Sequence, residues 1–195
     1  LALQGKKGGD RVQVTFYRGP EKHTVTMELT KRPVPQIPAD PAELARQVRA
    51  KYDQGIEILE KAFAGVSETE AGHSPAAGEW SAAQTLAHLV HTERNWVANI
   101  DDAVGGYERL ADDWGGNITA HIDATVTAFG GVPGMMEELK RLAAEVVAFL
   151  AALPPEFIAN KSAYLNVGNV LLNGMLPHTQ SHIAQIQNAI AAARP

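Results

Sequence analysis

Apolar residues recur at steps of three and four positions along most of this chain, a spacing typical of amphipathic helices. The clearest series follows Asp40 and Pro41, which are residue types favoured at a helix N-cap and at the first helical position. Its members are Leu44, Val48, Tyr52, Ile56, Leu59 and Phe63. The remaining series, three long and one short, cover about residues 81–105, 118–129, 135–153 and 166–193. Four long amphipathic helices joined by loops predict a mainly α fold, a four-helix bundle.

The beginning of the chain has a different pattern. Apolar and polar side chains alternate through residues 11–16 and again through 24–29, and residues 18–21 (RGPE) between them supply a turn. This pattern predicts a short β-hairpin. Four prolines within residues 33–41 indicate a semi-rigid, extended linker. We therefore expect three parts: a hairpin at 1–33, a linker at 34–39 and the helical bundle at 40–195.

Charge and composition exclude several classes of protein. Residues 1–32 carry seven Lys and Arg against three Asp and Glu, a net charge of +4, whereas residues 33–195 carry ten against nineteen, a net charge of −9. An acidic bundle repels phosphates, so we expect no nucleic-acid partner. No apolar run approaches the length of about 18 residues that a membrane span needs. We expect a cytoplasmic protein. The chain has no cysteine, which excludes disulfides, thiolate metal sites and cysteine nucleophiles.

The hairpin segment carries a family resemblance of its own. The run from GDRV at residues 9–12, through Arg18-Gly19, to LTKRP at 29–33 resembles the last third of a PDZ domain of the bacterial protease-associated type. The carboxylate-binding loop and the peptide-receiving strand of such a domain would precede these residues, so we predict no peptide binding by them. Leu1 is not a start methionine, and we expect the chain to be a piece of a longer protein. Because a lone two-stranded hairpin is marginally stable, we expect it to dock or to pair with a second copy.

Two pairs of histidines lie at helical spacing. His178 and His182 are four residues apart, so their side chains lie on one face of the last helix with Cβ atoms about 5–6 Å apart. With one imidazole from another helix, they would surround a metal ion and leave a coordination position open, as in catalytic zinc sites. His88 and His91 on the second long helix are the candidates for that third ligand.

The position of His88 on its helix leaves two interpretations open. On a helical wheel, Leu86, Val90 and Glu93 share the core face, and His88 points roughly the opposite way. It belongs to a polar stripe made of Gln84, His88, His91 and Asn95. This stripe is either a solvated surface face or one wall of a cleft opposite the last helix, and the spacing alone favours the solvated face.

Two longer motifs carry a second resemblance. Residues 80–89 (WSAAQTLAHL), with ERNW at 93–96, look like the second-helix signature of the DinB superfamily. Residues 178–186 (HTQSHIAQI) look like the final-helix signature of that family. The two motifs are about ninety residues apart and in the family's order, so residues 40–193 are similar to DinB proteins.

The resemblance implies a commonly dimeric four-helix bundle in which three histidines hold a divalent zinc, nickel or iron-type ion. Carried over by position, the ligands are His88, His178 and His182. His91 falls one turn beyond the ligand position, so it is a second-shell residue, a proton shuttle or merely a polar side chain. Together with Gln84, Asn95 and Gln185, it is expected in the second shell or in the cleft.

The resemblance also bears on function. Characterised relatives include transferases and isomerases that use low-molecular-weight thiols as co-substrates. We therefore expect a homodimeric, metal-dependent enzyme, of transferase, isomerase or hydrolase type, that acts on a small molecule. The sequence identifies no catalytic residue beyond the ligands. The alternative is a non-catalytic metal-binding or regulatory module fused to a PDZ-like interaction domain.

Three other residues carry structural expectations. Glu93 lies on the core face of its helix, where a lone carboxylate is costly, so we expect it to pair with Lys51 or Tyr52. Pro177 should kink the last helix just before the histidines. Trp80 is expected to act as a hydrophobic staple in front of the Ser81 cap.

Overall fold

The computed structural model describes residues 5–30, 36–107 and 117–194. The chain forms two compact units, Leu1–Gln36 and Ile37–Pro195. Within the part of the chain that is described, no helix is both long enough and apolar enough to cross a membrane.

The first unit contains the expected hairpin. Strands β1 (Arg11–Arg18) and β2 (Glu21–Glu28) pair antiparallel, with Val14 opposite Val25. Gly19 begins the two-residue loop with a φ of +61°, a left-handed conformation that glycine adopts without steric cost. Most side chains of both strands are exposed. The hairpin prediction is confirmed.

The second unit is helical. Its elements are α1 (Pro41–Phe63), α2 (Glu68–Ala71), α3 (Ala82–Gly105), α4 (Thr119–Phe129), α5 (Val132–Ala151), α6 (Pro155–Ala159), α7 (Lys161–Asn173) and α8 (Met175–Ala192). Helix α1 packs against α5 and α8, and α3 packs against the same two helices. The mainly α fold is therefore confirmed, with α1, α3, α5 and α8 arranged as a four-helix bundle.

Local chemistry sets the ends of the first two long helices. Asp40 accepts a hydrogen bond from the backbone N–H of Ala42, and Pro41 occupies the first helical position of α1. At the start of α3, the side chains of Ser81 and Gln84 cap each other's backbone N–H groups. Gly106 ends α3 in the left-handed conformation. The cap formed by Ser81 and Gln84 fixes where α3 begins, and therefore the position of His88 along the bundle axis.

The predicted last helix is two helices. It begins at Lys161 rather than near Asn166, and it is broken at Gly174 between α7 and α8. Pro177 lies in the first turn of α8, where it has no N–H to donate to the preceding turn. A Cβ at Gly174 would lie 2.6 Å from the backbone oxygen of Val170, so the backbone would have to shift to admit another residue there. The predicted last helix is therefore interrupted at Gly174, before Pro177, whereas the sequence predicted a kink just before His178.

The apolar core consists of two clusters. One surrounds the first half of α3 and includes the fully buried Leu86, Val90 and Ile186. The other contains Leu44 of α1 and Leu150 of α5. The histidines of α3 and α8 lie beside the first cluster, so its packing holds the two helices that carry them.

Candidate metal centre

Three histidines from two helices converge at one point. The Nε2 atom of His178 lies 3.4 Å from Nε2 of His88 and 3.2 Å from Nε2 of His182. One ring nitrogen from each residue lies within 4.8 Å of the other two. His88 is only 3% exposed, whereas the two histidines of α8 are half-buried. We call these three residues the triad.

The spacing of the triad fits a transition-metal ion. Zinc–imidazole bonds of about 2.0–2.1 Å at tetrahedral angles place neighbouring ligand nitrogens ~3.3 Å apart. Two of the three pairwise separations in the triad, 3.4 and 3.2 Å, lie on either side of that value, and the third pair lies within 4.8 Å. Imidazole nitrogen suits zinc, copper, iron and nickel, and three such ligands leave a coordination position open. The donor set and its geometry therefore fit the ion that the sequence resemblance implies.

Gln185 orients one of the three rings. Its Oε1 lies 3.0 Å from Nδ1 of His182, one turn earlier on α8. A carbonyl oxygen only accepts hydrogen bonds, so the ring proton belongs on Nδ1 and the lone pair of Nε2 faces the other two histidines. Gln185 thus holds His182 in the tautomer that binds a metal ion.

The helices that carry this site lie inside a family match. The family model of the DinB superfamily matches residues 51–186, which is more than half of the chain. The chain belongs to the DinB superfamily. No curated protein and no solved structure matches it. The matched range contains α3 and most of α8, and therefore all three histidines of the triad.

Burial of His88 corrects one interpretation of the sequence. The helical wheel favoured a solvated face for the stripe that contains it, and that is wrong at His88. Helix α8 packs against this side of α3, and the indole of Trp80 lies against the His88 ring with 5.4 Å between the ring centroids. A helix with neighbours on two opposite sides has two buried faces, so a wheel drawn for one apolar face underestimates its burial.

The remaining predicted site residues of this DinB protein lie in different surroundings. The ring of His91 contacts the ring of His121 on α4, with 4.5 Å between centroids. The side-chain amide of Gln84 caps α3 and donates to Asp123 on α4, at 2.6 Å. Asn95 is half-buried, two turns beyond His88. Of the four, Gln185 is hydrogen-bonded to the triad, through His182.

An open depression lies beside the triad. Its volume is about 960 Å³, including the solvent at its mouth. Its walls contain Pro75, Gly78, Glu79, Trp80, Gln185 and Asn188. Trp80 contacts His88, and Gln185 is hydrogen-bonded to His182, so two wall residues touch the triad directly. The sequence predicted only a structural role for Trp80. Trp80 precedes the N-cap Ser81, so it lies outside the helix and the helical period assigns it to no face of α3.

A second polar feature is buried further along α3. The hydroxyl of Tyr52 donates to Glu93 at 2.8 Å, which confirms the expected pairing and selects Tyr52 over Lys51. Burial raises the pKa of Glu93 to about 7, although the hydrogen bond from Tyr52 opposes that shift. Burial and the charge of Glu93 raise the pKa of Tyr52 well above its usual range. The pair lines a small cavity with mostly apolar walls, which include Leu59 and Leu139.

Proposed function

We propose that this DinB protein is a divalent-metal-dependent enzyme whose ion is held by His88, His178 and His182. The observation that carries the proposal is the convergence of three imidazoles: two Nε2 separations are 3.4 and 3.2 Å, close to those of neighbouring ligands of one ion, and one ring nitrogen of each residue lies within 4.8 Å of the other two. When bound, such an ion supplies Lewis-acid chemistry at its open position.

The residues around the triad support a catalytic site. Gln185 fixes the proton of His182 on Nδ1, and Trp80 shields the His88 ring from solvent on one side. The depression gives a small molecule access to the same two wall residues. A small molecule bound there would contact two side chains that touch His88 and His182.

The reaction class belongs to this proposal as well. The family resemblance favours a transferase or isomerase that uses a low-molecular-weight thiol, with hydrolysis as the other metal-assisted reaction. The chain has no cysteine, so the thiol of such a reaction would come from the co-substrate. A zinc, nickel or iron-type ion, a homodimer and a cytoplasmic location remain predictions of the same resemblance and of the sequence.

One observation favours a second candidate function, a binding or regulatory module. On the hairpin, the side chains of Tyr17, Val25 and Met27 are between 46% and 68% exposed. Exposed apolar side chains on strands with unpaired edges favour association with another chain. A PDZ origin of residues 1–33 would agree with that role, and it rests on the sequence resemblance alone, because the family match begins at residue 51.

Metal analysis followed by a thiol screen tests the proposal. We expect chelated and reloaded wild-type protein to retain a tightly bound ion that His178→Ala loses, while His73→Ala, at an exposed position, keeps it. Equal retention by all three proteins would overturn the metal site. We expect metal-loaded wild-type protein to bind at least one small thiol that His178→Ala does not. Failure of a broad thiol panel against loaded protein would instead favour the binding module.

A further inference from the structure

A second pair of imidazoles lies close to the triad on the same helix. His91 follows His88 by one turn of α3, and its ring meets the ring of His121 from α4. The two ring centroids are 4.5 Å apart and the ring planes cross at 71°. Within the triad, ring centroids are 4.8 to 5.3 Å apart and the planes cross at 61° to 85°. The pair therefore has a crossing angle within the triad's range and slightly closer rings.

Contacts with α3 and with the core fix the position of α4, the helix that carries His121. The amide of Gln84 donates to Asp123, two residues after His121, at 2.6 Å. Ile122 is fully buried and Thr125 is 6% exposed, so the rotation of α4 about its axis is fixed by the core. These contacts hold His121 opposite α3 before any ligand arrives, which lowers the ordering cost of binding.

We propose that His91 and His121 form a second site for a divalent transition-metal ion of the zinc, nickel or copper type. Imidazole nitrogens are the ligands that these ions share. His121 is exposed and His91 is half-buried, so an ion can enter from solvent and complete its coordination with water or with an anion. Because the site has two protein ligands instead of three, it binds its ion more weakly than the triad does.

This inference goes beyond the function proposed above, which needs one ion. Residues three apart on a helix have Cβ atoms about 5–6 Å apart. His88 and His91 therefore place the two sites side by side, one turn apart on α3. The second site does not depend on the first, because its ligands come from α3 and α4 and not from α8.

Calorimetric titration of the chelated, metal-free protein with Zn²⁺ tests the site. We expect wild type to bind two equivalents, the second more weakly than the first because its site has two protein ligands instead of three. His121→Ala should keep the tight equivalent and lose the second. His73→Ala removes another exposed histidine and should keep both. In a histidine-selective NMR spectrum, the second equivalent should shift the ring signals of His91 and His121.

Four outcomes would overturn the second site. They are a single equivalent in wild type, a second equivalent that survives in His121→Ala, its loss in His73→Ala, and loss of the tight equivalent in His121→Ala. The first would show that His91 and His121 only pack together, the next two would place the ion elsewhere, and the last would make His121 a support of the triad. Failure of the triad is a separate result, because it appears as an unchanged tight equivalent in His178→Ala.

Discussion

Replacing Glu93 with Gln should change how the stability of the protein depends on pH. The carboxyl of Glu93 is 6% exposed and has a pKa of about 7 in the folded protein, against 4.5 for an ordinary glutamate. Between these two values the unfolded chain has lost the proton that the folded protein keeps. Raising the pH through this window therefore favours the unfolded state, and the loss of stability is complete above the folded pKa.

The size of the effect follows from the shift. A difference of one pKa unit corresponds to 1.36 kcal/mol, so a rise from 4.5 to about 7 costs the wild type about 3 kcal/mol between pH 4.5 and pH 8. Glutamine has nearly the same shape and no titrating group, and it can still accept the hydrogen bond from Tyr52. The stability of Glu93→Gln relative to wild type should therefore increase by about 3 kcal/mol as the pH rises over this range.

Urea unfolding of the metal-free proteins at several values between pH 4.5 and pH 8 measures this difference. Absence of metal removes the contribution of ion binding, and subtraction of the two proteins cancels the titration of the histidines. Glu156→Gln, at an exposed position in α6, is the matched control, and its stability relative to wild type should stay nearly constant. A difference between Glu93→Gln and wild type that stays constant within about 0.5 kcal/mol would refute the argument.

Three further predictions concern the site, the core and assembly. Gln185→Ala should weaken tight zinc binding by about 10- to 100-fold in a competition titration, as loss of a partner that orients a ligand does, whereas Gln187→Ala should not; equal affinities would contradict the role of Gln185. Leu86→Ala, at a fully buried position, should lower the free energy of unfolding by about 2–5 kcal/mol in urea denaturation, and a loss under about 1 kcal/mol would contradict the packing around α3. Light scattering at micromolar concentration should show a homodimer that survives deletion of residues 1–38; a monomeric full chain would refute the dimer.

Local chemistry made much of the bundle predictable. Asp40 and Ser81 cap α1 and α3 as expected, because an N-cap depends only on the first turn of its own helix. The pairing of His178 with His182 was predictable for the same reason, since helix geometry alone brings residues four apart together. The short helices α2 and α6 have too few residues to show a period, so the periodicity did not reveal them.

Tertiary contacts explain what the sequence could not show. Burial of His88 comes from α8 and from Trp80, neither of which a wheel of α3 contains. The break at Gly174 is a local feature: a Cβ there would lie 2.6 Å from the backbone oxygen of Val170, one turn earlier, whereas the sequence pointed only to the proline that follows. Likewise, the sequence left both Lys51 and Tyr52 open as partners of Glu93, and the structure shows that the hydroxyl of Tyr52 donates to it.

X-ray absorption at the zinc edge, on protein loaded with less than one equivalent of zinc, tests the central claim most directly. At that loading the ion occupies its tightest site, and the spectrum reports the number and type of its ligands. We expect three imidazole nitrogens at about 2.0–2.1 Å and one further light-atom ligand, with one imidazole fewer in His88→Ala. A shell of oxygen ligands, or a wild-type imidazole count unchanged by His88→Ala, would contradict the assignment of the triad.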